Sequence, residues 1–124
     1  MAQRACLPDI RLKRAYEPAS PADGLRILVD RFWPRGLTRS KARIDVWMKG
    51  ITPSNELRRW FGHDPTRWSE FRKKYKSELA MKSDEMEQLR ALAKKGRITL
   101  VYGAKDEVHN HAKVLMDAVT QGVD

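Results

Sequence analysis

Leu25-Arg26-Ile27-Leu28-Val29, followed at once by Asp30-Arg31, is the stretch on which the fold turns. Its apolar residues are nearly continuous and include the branched Ile27 and Val29, the pattern of a strand buried on both faces in a parallel sheet. Asp30-Arg31 ends the strand, and Pro34-Arg35-Gly36 breaks the chain into a loop. Other segments are read against this one. Ile10 to Tyr16 alternates and reads as a strand, with Pro18, Pro21 and Asp23-Gly24 forming the loop behind it. Val46 to Ile51 reads as a second buried strand, although Lys49 and Gly50 interrupt it. Ile98 to Tyr102 is a further strand.

Helical spacing fills the gaps. Thr38 can cap a short helix through about Arg43. Thr52-Pro53 makes a capped start for a helix with Leu57, Trp60 and Phe61 on its apolar face, closed by Gly62. Asp64-Pro65 opens the next, in which Trp68, Phe71, Tyr75 and Leu79 recur at helical spacing. Ser83 is the expected cap of a helix that turns Met86, Leu89, Leu92 and Ala93 inward and ends at Gly96. A last helix is expected from Glu107 to Gln121, burying Val108, Ala112, Leu115 and Val119. Strands joined by helical connections pair in parallel through right-handed crossovers. The fold expected is α/β: a small, mostly parallel sheet of about four strands with helices on both faces. The sequence leaves open whether the first strand is parallel to the rest.

The 124 residues fit one domain, with a core from about residue 9 to 121, and 41% of them are hydrophobic, enough for a core. Apolar runs are too short to span a bilayer, which excludes a helical membrane protein. Met1-Ala2-Gln3-Arg4-Ala5-Cys6 lacks the apolar region of a secretory signal, and the single Cys6 cannot form an internal disulfide. A cytoplasmic setting is expected. Cys6 has no activating neighbour in the sequence and is not read as a nucleophile. The net charge of +9 is concentrated between Arg26 and Arg43, where Arg26, Arg31, Arg35, Arg39, Lys41 and Arg43 face only Asp30. Such an excess suits an anionic partner as well as plain solubility.

Parallel strands bring their C-terminal ends to one edge, where ligands of open α/β sheets bind. That edge collects Asp30, Arg31, Trp33 and Arg35 after one strand and Trp47 with Lys49 around the next. Tyr102, Gly103, Lys105 and Asp106 follow the last strand, and His109 and His111 come with the final helix. Arginines can fork onto a phosphate or carboxylate, and the helix N-terminus offers N–H groups to an anion. The alternative is that Asp30 and Arg31 merely pair and hold the loop. On a helix, His109 and His111 would point about 200° apart, so they are not expected to share a metal, and no cofactor is expected. His111 falls on the face that packs against the sheet, as either a hydrogen-bonded core residue or a site acid or base. In Trp60-Phe61-Gly62-His63-Asp64 the aromatics read as core and Asp64 as a cap, while His63 is ambiguous.

Three motifs together are similar to the YeaO-like family, a bacterial family with a domain of unknown function. They are Val29-Asp30-Arg31-Phe32-Trp33-Pro34-Arg35-Gly36, Trp60-Phe61-Gly62-His63-Asp64-Pro65, and Tyr102-Gly103-Ala104-Lys105-Asp106 with His109-Asn110-His111-Ala112. The resemblance runs from about Ile10 to Leu115. It implies a shortened relative of longer domains that carry a Cys near the position of Tyr102 and a Cys-His-Arg run near Val108 to Asn110. Neither Cys is present in this chain. The resemblance therefore implies an α/β fold with a strand-end site and adds no reaction.

The expected function is binding of a small anionic ligand, phosphate- or nucleotide-like, at the C-terminal edge of the sheet, with catalysis left open. Arg31, Arg35 and Lys105 would hold the anion, with Lys49 and His109 nearby. Trp33, Trp47 and Tyr102 would wall the pocket, and Asp30 and His111 would be the proton-transfer groups. The alternative is a nucleic-acid-binding module tracking the backbone with Arg26 to Arg43 and the Arg67 to Lys76 helix face. It ranks second because no recognition helix or RNA-binding signature is evident.

Overall fold

In the computed structural model, which describes residues 9–121, the stretch Leu25–Leu28 forms β2 and runs between two parallel neighbours. Ile27 stands opposite Leu100 of β4 (Ile98–Tyr102) on one side and Val46 of β3 (Val46–Trp47) on the other. The first strand, β1 (Ile10–Arg14), pairs with β4, Leu12 opposite Leu100, so it too is parallel. The sheet order is β1-β4-β2-β3. Cys6 lies outside the described residues.

The helices are α1 (Arg39–Ala42), α2 (Asn55–Phe61), α3 (Trp68–Ala80), α4 (Ser83–Lys95) and α5 (His111–Gln121). The two faces of the sheet are covered unequally. Ile27, Ile98, Leu100 and Tyr102 share the larger core with Phe71, Tyr75 and Leu79 of α3, Met86 and Leu89 of α4, and Leu115 of α5. Leu28 and Val101, pointing the other way by strand alternation, meet only Ala15 and the partly buried Trp33, Leu37, Ile44 and Trp47. One face thus packs on long helices, and the other on the one-turn α1 and its flanking loops.

Several boundaries differ from the sequence reading, each for a local reason. β1 stops at Arg14 rather than Tyr16, although Ala15 N–H still donates to Tyr102 O at 2.6 Å. β3 ends at Trp47 because Lys49 and Gly50 are exposed; Ile51 is buried through a 3-10 turn over Lys49–Ile51, where its carbonyl accepts from Tyr75 OH at 2.7 Å. The cap of α2 is Ser54, which accepts from Leu57 N–H, while the Thr52 hydroxyl donates back to Lys49 O. Ser83 is the first residue of α4 rather than its cap, and Asp84 and Glu85 suit that helix's positive end. α5 begins at His111, four residues later than Glu107.

Part of the basic run is consumed inside the fold. Arg26 is only 3% exposed. Its Nη1 donates to Asp23 Oδ2 at 2.7 Å, and its Nε and Nη2 donate to Ala42 O. Asp23 also accepts from Lys13 Nζ at 3.0 Å and from Ser20 N–H. Burial alone would raise the Asp23 carboxyl, but the hydrogen bonds from Ser20, Lys13 and Arg26 outweigh it and hold the group below its ordinary value.

β2 can begin beside β4 only because Gly24 precedes it. Gly24 has φ 66° and ψ −140°, and a Cβ there would lie 2.3 Å from the Arg97 carbonyl oxygen, the acceptor of Leu25 N–H. Gly36 also has positive φ, at 84°, but open space around it. Gly24→Ala is expected to cost about 3 kcal/mol or more, strain and clash together. Gly36→Ala should cost only about 1–2 kcal/mol, from strain alone. Urea titration of both variants checks this, and equal losses would show that the Arg97 contact does not matter.

Candidate functional site

β2 and β4 are neighbours whose outgoing connections leave toward opposite faces: the segment after β2 covers the smaller core, whereas α5 after β4 packs in the larger one. Such a switch point leaves a crevice beyond the strand ends. Asp30 follows β2 there and reaches across it. Its Oδ2 accepts from Gly103 N–H at 2.8 Å, and Oδ1, buried and without a hydrogen bond of its own, lies 3.3 Å from His111 Nε2. That Nε2 is 2.7 Å from Val29 O. A carbonyl only accepts, so Nε2 carries a proton and donates to it. A Cβ on Gly103 would meet Asp30 Oδ2 at 3.0 Å, which explains a glycine at this point. Trp47 Nε1–H donates to Asp30 O at 2.7 Å and so fixes the Asp30 backbone as well.

A cavity of about 360 Å³ opens beside this clasp. It is lined by Asp30, Arg31 and Trp33, by His109 and His111, and by Arg58, Phe61 and Phe71 from the α2–α3 corner. Arg31 does not pair with Asp30, and its buried Nε has no hydrogen-bond partner. Trp33 is held by its Nε1–H donating to Leu37 O and by edge contact with Trp47. The hydroxyls on the wall are already engaged, Tyr16 OH with Arg35 O at 2.8 Å and Thr52 with Lys49 O at 2.9 Å.

His109 precedes α5 in a turn organised by Asp106. Asp106 Oδ1 accepts from the backbone N–H groups of Val108 and His109, and Oδ2 lies 3.0 Å from His109 Nδ1. The His109 and Val108 N–H groups, with the imidazole, lower the Asp106 carboxyl from 3.8 to about 2. Facing an ionised carboxylate, Nδ1 carries a ring proton and donates it to Asp106 Oδ2. The edge of His109 packs against Trp68, 5.3 Å between centroids. Asn110 caps α5, its Oδ1 accepting from Lys113 N–H and its Nδ2 donating to Asp106 O. Of the N–H groups at the α5 N-terminus, the Lys113 N–H is therefore already taken by a side chain.

Of the residues the sequence assembled at the strand ends, Asp30, Arg31, Trp33, His109 and His111 share the cavity. The others lie elsewhere. Arg35 is exposed, with only its carbonyl engaged, by Tyr16. Trp47 is behind Asp30, and Lys49 Nζ sits 4.0 Å above the Trp47 ring. Tyr102 is buried in the larger core; burial, with Glu107 and Glu17 nearby, raises its phenol, which stays neutral. Lys105 is exposed and off the wall. Sequence reasoning missed Arg58, Phe61, Phe71 and His63, which the α2–α3 corner brings to the cavity. The signal for them was the positive-φ turn after Phe61, where Gly62 and His63 fold the corner back toward the sheet. Among the described residues no group of three or more His, Cys, Asp and Glu could hold a metal, and no helix is long and apolar enough to cross a membrane.

Fold and site together define a small parallel α/β domain with a cavity at its strand switch point. Residues 9–124 match the family described as the inactive DUF488-N3 subclade, and the chain belongs to that family. It is 47% identical to the uncharacterized protein YeaO of Escherichia coli (strain K12) over 109 residues, 88% of this chain and 95% of that protein. It is 40% identical to the uncharacterized protein Rv3073c of Mycobacterium tuberculosis (strain ATCC 25618 / H37Rv) over 106 residues, 86% of this chain and 89% of the relative. No solved structure matches it.

Two outcomes follow from this geometry. Asp30→Ala strips the Gly103 N–H of its acceptor and should cost about 1–3 kcal/mol. An unchanged urea midpoint would mean that Asp30 holds nothing together. Asp106 should titrate at about 2 in the folded protein. A depressed carboxyl contributes stability that is present above its ordinary value of 3.8 and lost as pH falls through about 2. NMR titration, read at the Val108 and His109 amides, tests this; a midpoint near the ordinary value would mean that the turn does not form.

Proposed function

We propose that this domain binds a small anionic ligand in the cavity between the β2 and β4 ends and the α2–α3 corner. The observation that carries the reading is Arg31: the residue lines the cavity, yet the neighbouring carboxylate is turned toward Gly103 and His111, and its buried Nε has no acceptor. A buried guanidinium donor without a partner is costly unless a ligand supplies the acceptor. Arg58, also on the wall, adds a second cation, whose guanidinium donates to Asn55 Oδ1 and stands over the Phe32 ring. Asp30 is the one acid on the wall, so the cavity's charge balance favours an anion.

Binding without turnover is the form of this activity that the site supports. Asp30 and His111 hold strand ends and α5 together, a positioning role rather than proton transfer. The Tyr16 and Thr52 hydroxyls on the same wall already donate to backbone carbonyls. The family's description as inactive agrees with this. Nucleic-acid binding finds less support, because Arg26 is buried against Asp23 and cannot join a backbone-tracking surface.

Arg31, rather than the exposed Arg35, is the residue to remove. Arg31→Ala should weaken phosphate or phosphate-ester binding roughly tenfold or more, the loss of a charge-assisted hydrogen bond of about 1.5–3 kcal/mol. Arg35→Ala should leave binding and melting temperature nearly unchanged. Isothermal titration of both variants checks this, and loss of binding on Arg35→Ala alone would move the site out of the cavity.

A further inference from the structure

Resting on the anion reading, we infer that the occupant of this cavity is an organic anion built on a flat ring, an aryl or heteroaryl phosphate or carboxylate, rather than an inorganic ion. Size is the first argument. The cavity of about 360 Å³ is far larger than a tetrahedral anion needs, since a water occupies only about 30 Å³. The composition of the wall is the second. Phe61 and Phe71 stack on one another, 4.4 Å between centroids and 27° between planes, and both reach the cavity with the buried Pro53 and Pro34. A bare ion against these carbons loses hydration and gains no replacement, whereas a ring gains apolar contact.

Phe32 is the third argument. It follows Arg31 in the loop, lines the cavity and is 65% exposed, the most exposed aromatic among the described large hydrophobic residues. Arg58 holds it, the guanidinium carbon 5.6 Å from the ring centroid. An aromatic ring at a mouth, standing beside the cations that would take the anionic group, offers the face on which a second ring stacks. Arg31 and Arg58 then receive the charged end while Phe32 and the Phe61–Phe71 wall hold the body.

The test compares methyl phosphate, phenyl phosphate and phenol by isothermal titration on the parent chain, Phe32→Ala and Arg58→Ala. Phe32 is exposed in a loop, so its truncation leaves the fold intact; thermal melting confirms this for each variant. Phenyl phosphate should bind at least about tenfold tighter than methyl phosphate. Phe32→Ala should remove most of that advantage and leave methyl phosphate unchanged, while Arg58→Ala should weaken both phosphates and spare phenol. Equal binding of the two phosphates overturns the ring inference and leaves the anion reading standing. Equal binding of phenyl phosphate and phenol overturns the anion reading, and with it the inference. Failure of all three to bind overturns both.

Discussion

The Asp30 carboxylate joins three parts of the chain that are far apart in sequence: the end of β2, the backbone just past β4, and the first residue of α5. Its Oδ2 accepts from Gly103 N–H, while its buried Oδ1, without a hydrogen bond, lies 3.3 Å from His111 Nε2. The geometry it imposes is narrow. Gly103 must lack a side chain, His111 must keep its Nε2 proton toward Val29 O, and Trp47 must support the Asp30 carbonyl from behind. With its carboxylate so engaged, Asp30 leaves Arg31 unopposed. The same contact that closes the strand ends therefore creates the unbalanced positive charge beside them.

The strands and helices were largely legible because each carries a local period. Leu25–Val29 and Ile98–Tyr102 could be read as buried strands from residue type alone, and Phe71, Tyr75 and Leu79 from helical spacing. The gathering of Asp30, Arg31, Trp33, His109 and His111 was legible too, since parallel strands must bring those ends together. What escaped was direction. Arg31 and Arg35 are alike as loop arginines in sequence, and only the packing of Trp33 and the engaged Arg35 carbonyl decide which one lines the cavity. The α2–α3 corner escaped as well, because Arg58, Phe61 and Phe71 reach the strand ends through tertiary packing that no local pattern records. The α5 boundary was missed because two capping side chains stand in succession, Asp106 on the Val108 and His109 N–H groups and Asn110 on Lys113 N–H, and the helix begins only after the second.

Charge in this protein has two separate uses. Asp23, Lys13 and Arg26 form a buried knot that ties β1 and β2 to the carbonyl at the end of α1, and such a knot contributes specificity of packing rather than a surface. Arg58 and Arg31, by contrast, line the cavity. Counting the Arg26 to Arg43 run as one basic patch mixes a buried arginine with exposed ones.

The order β1-β4-β2-β3 puts the last strand to be synthesised between the first two. As the nascent chain leaves the ribosome, β1 has no partner until residues 98–102 emerge, and β2 meets β3 over only Ile27–Val46 and Leu28–Trp47. The sheet cannot assemble stepwise from the N-terminus; it must close around β4 in one late event, with the large separation in sequence that slows such pairing. Until then Ile27, Leu28 and Val29 stand exposed in an incomplete chain, a stretch of the kind that holdase chaperones bind.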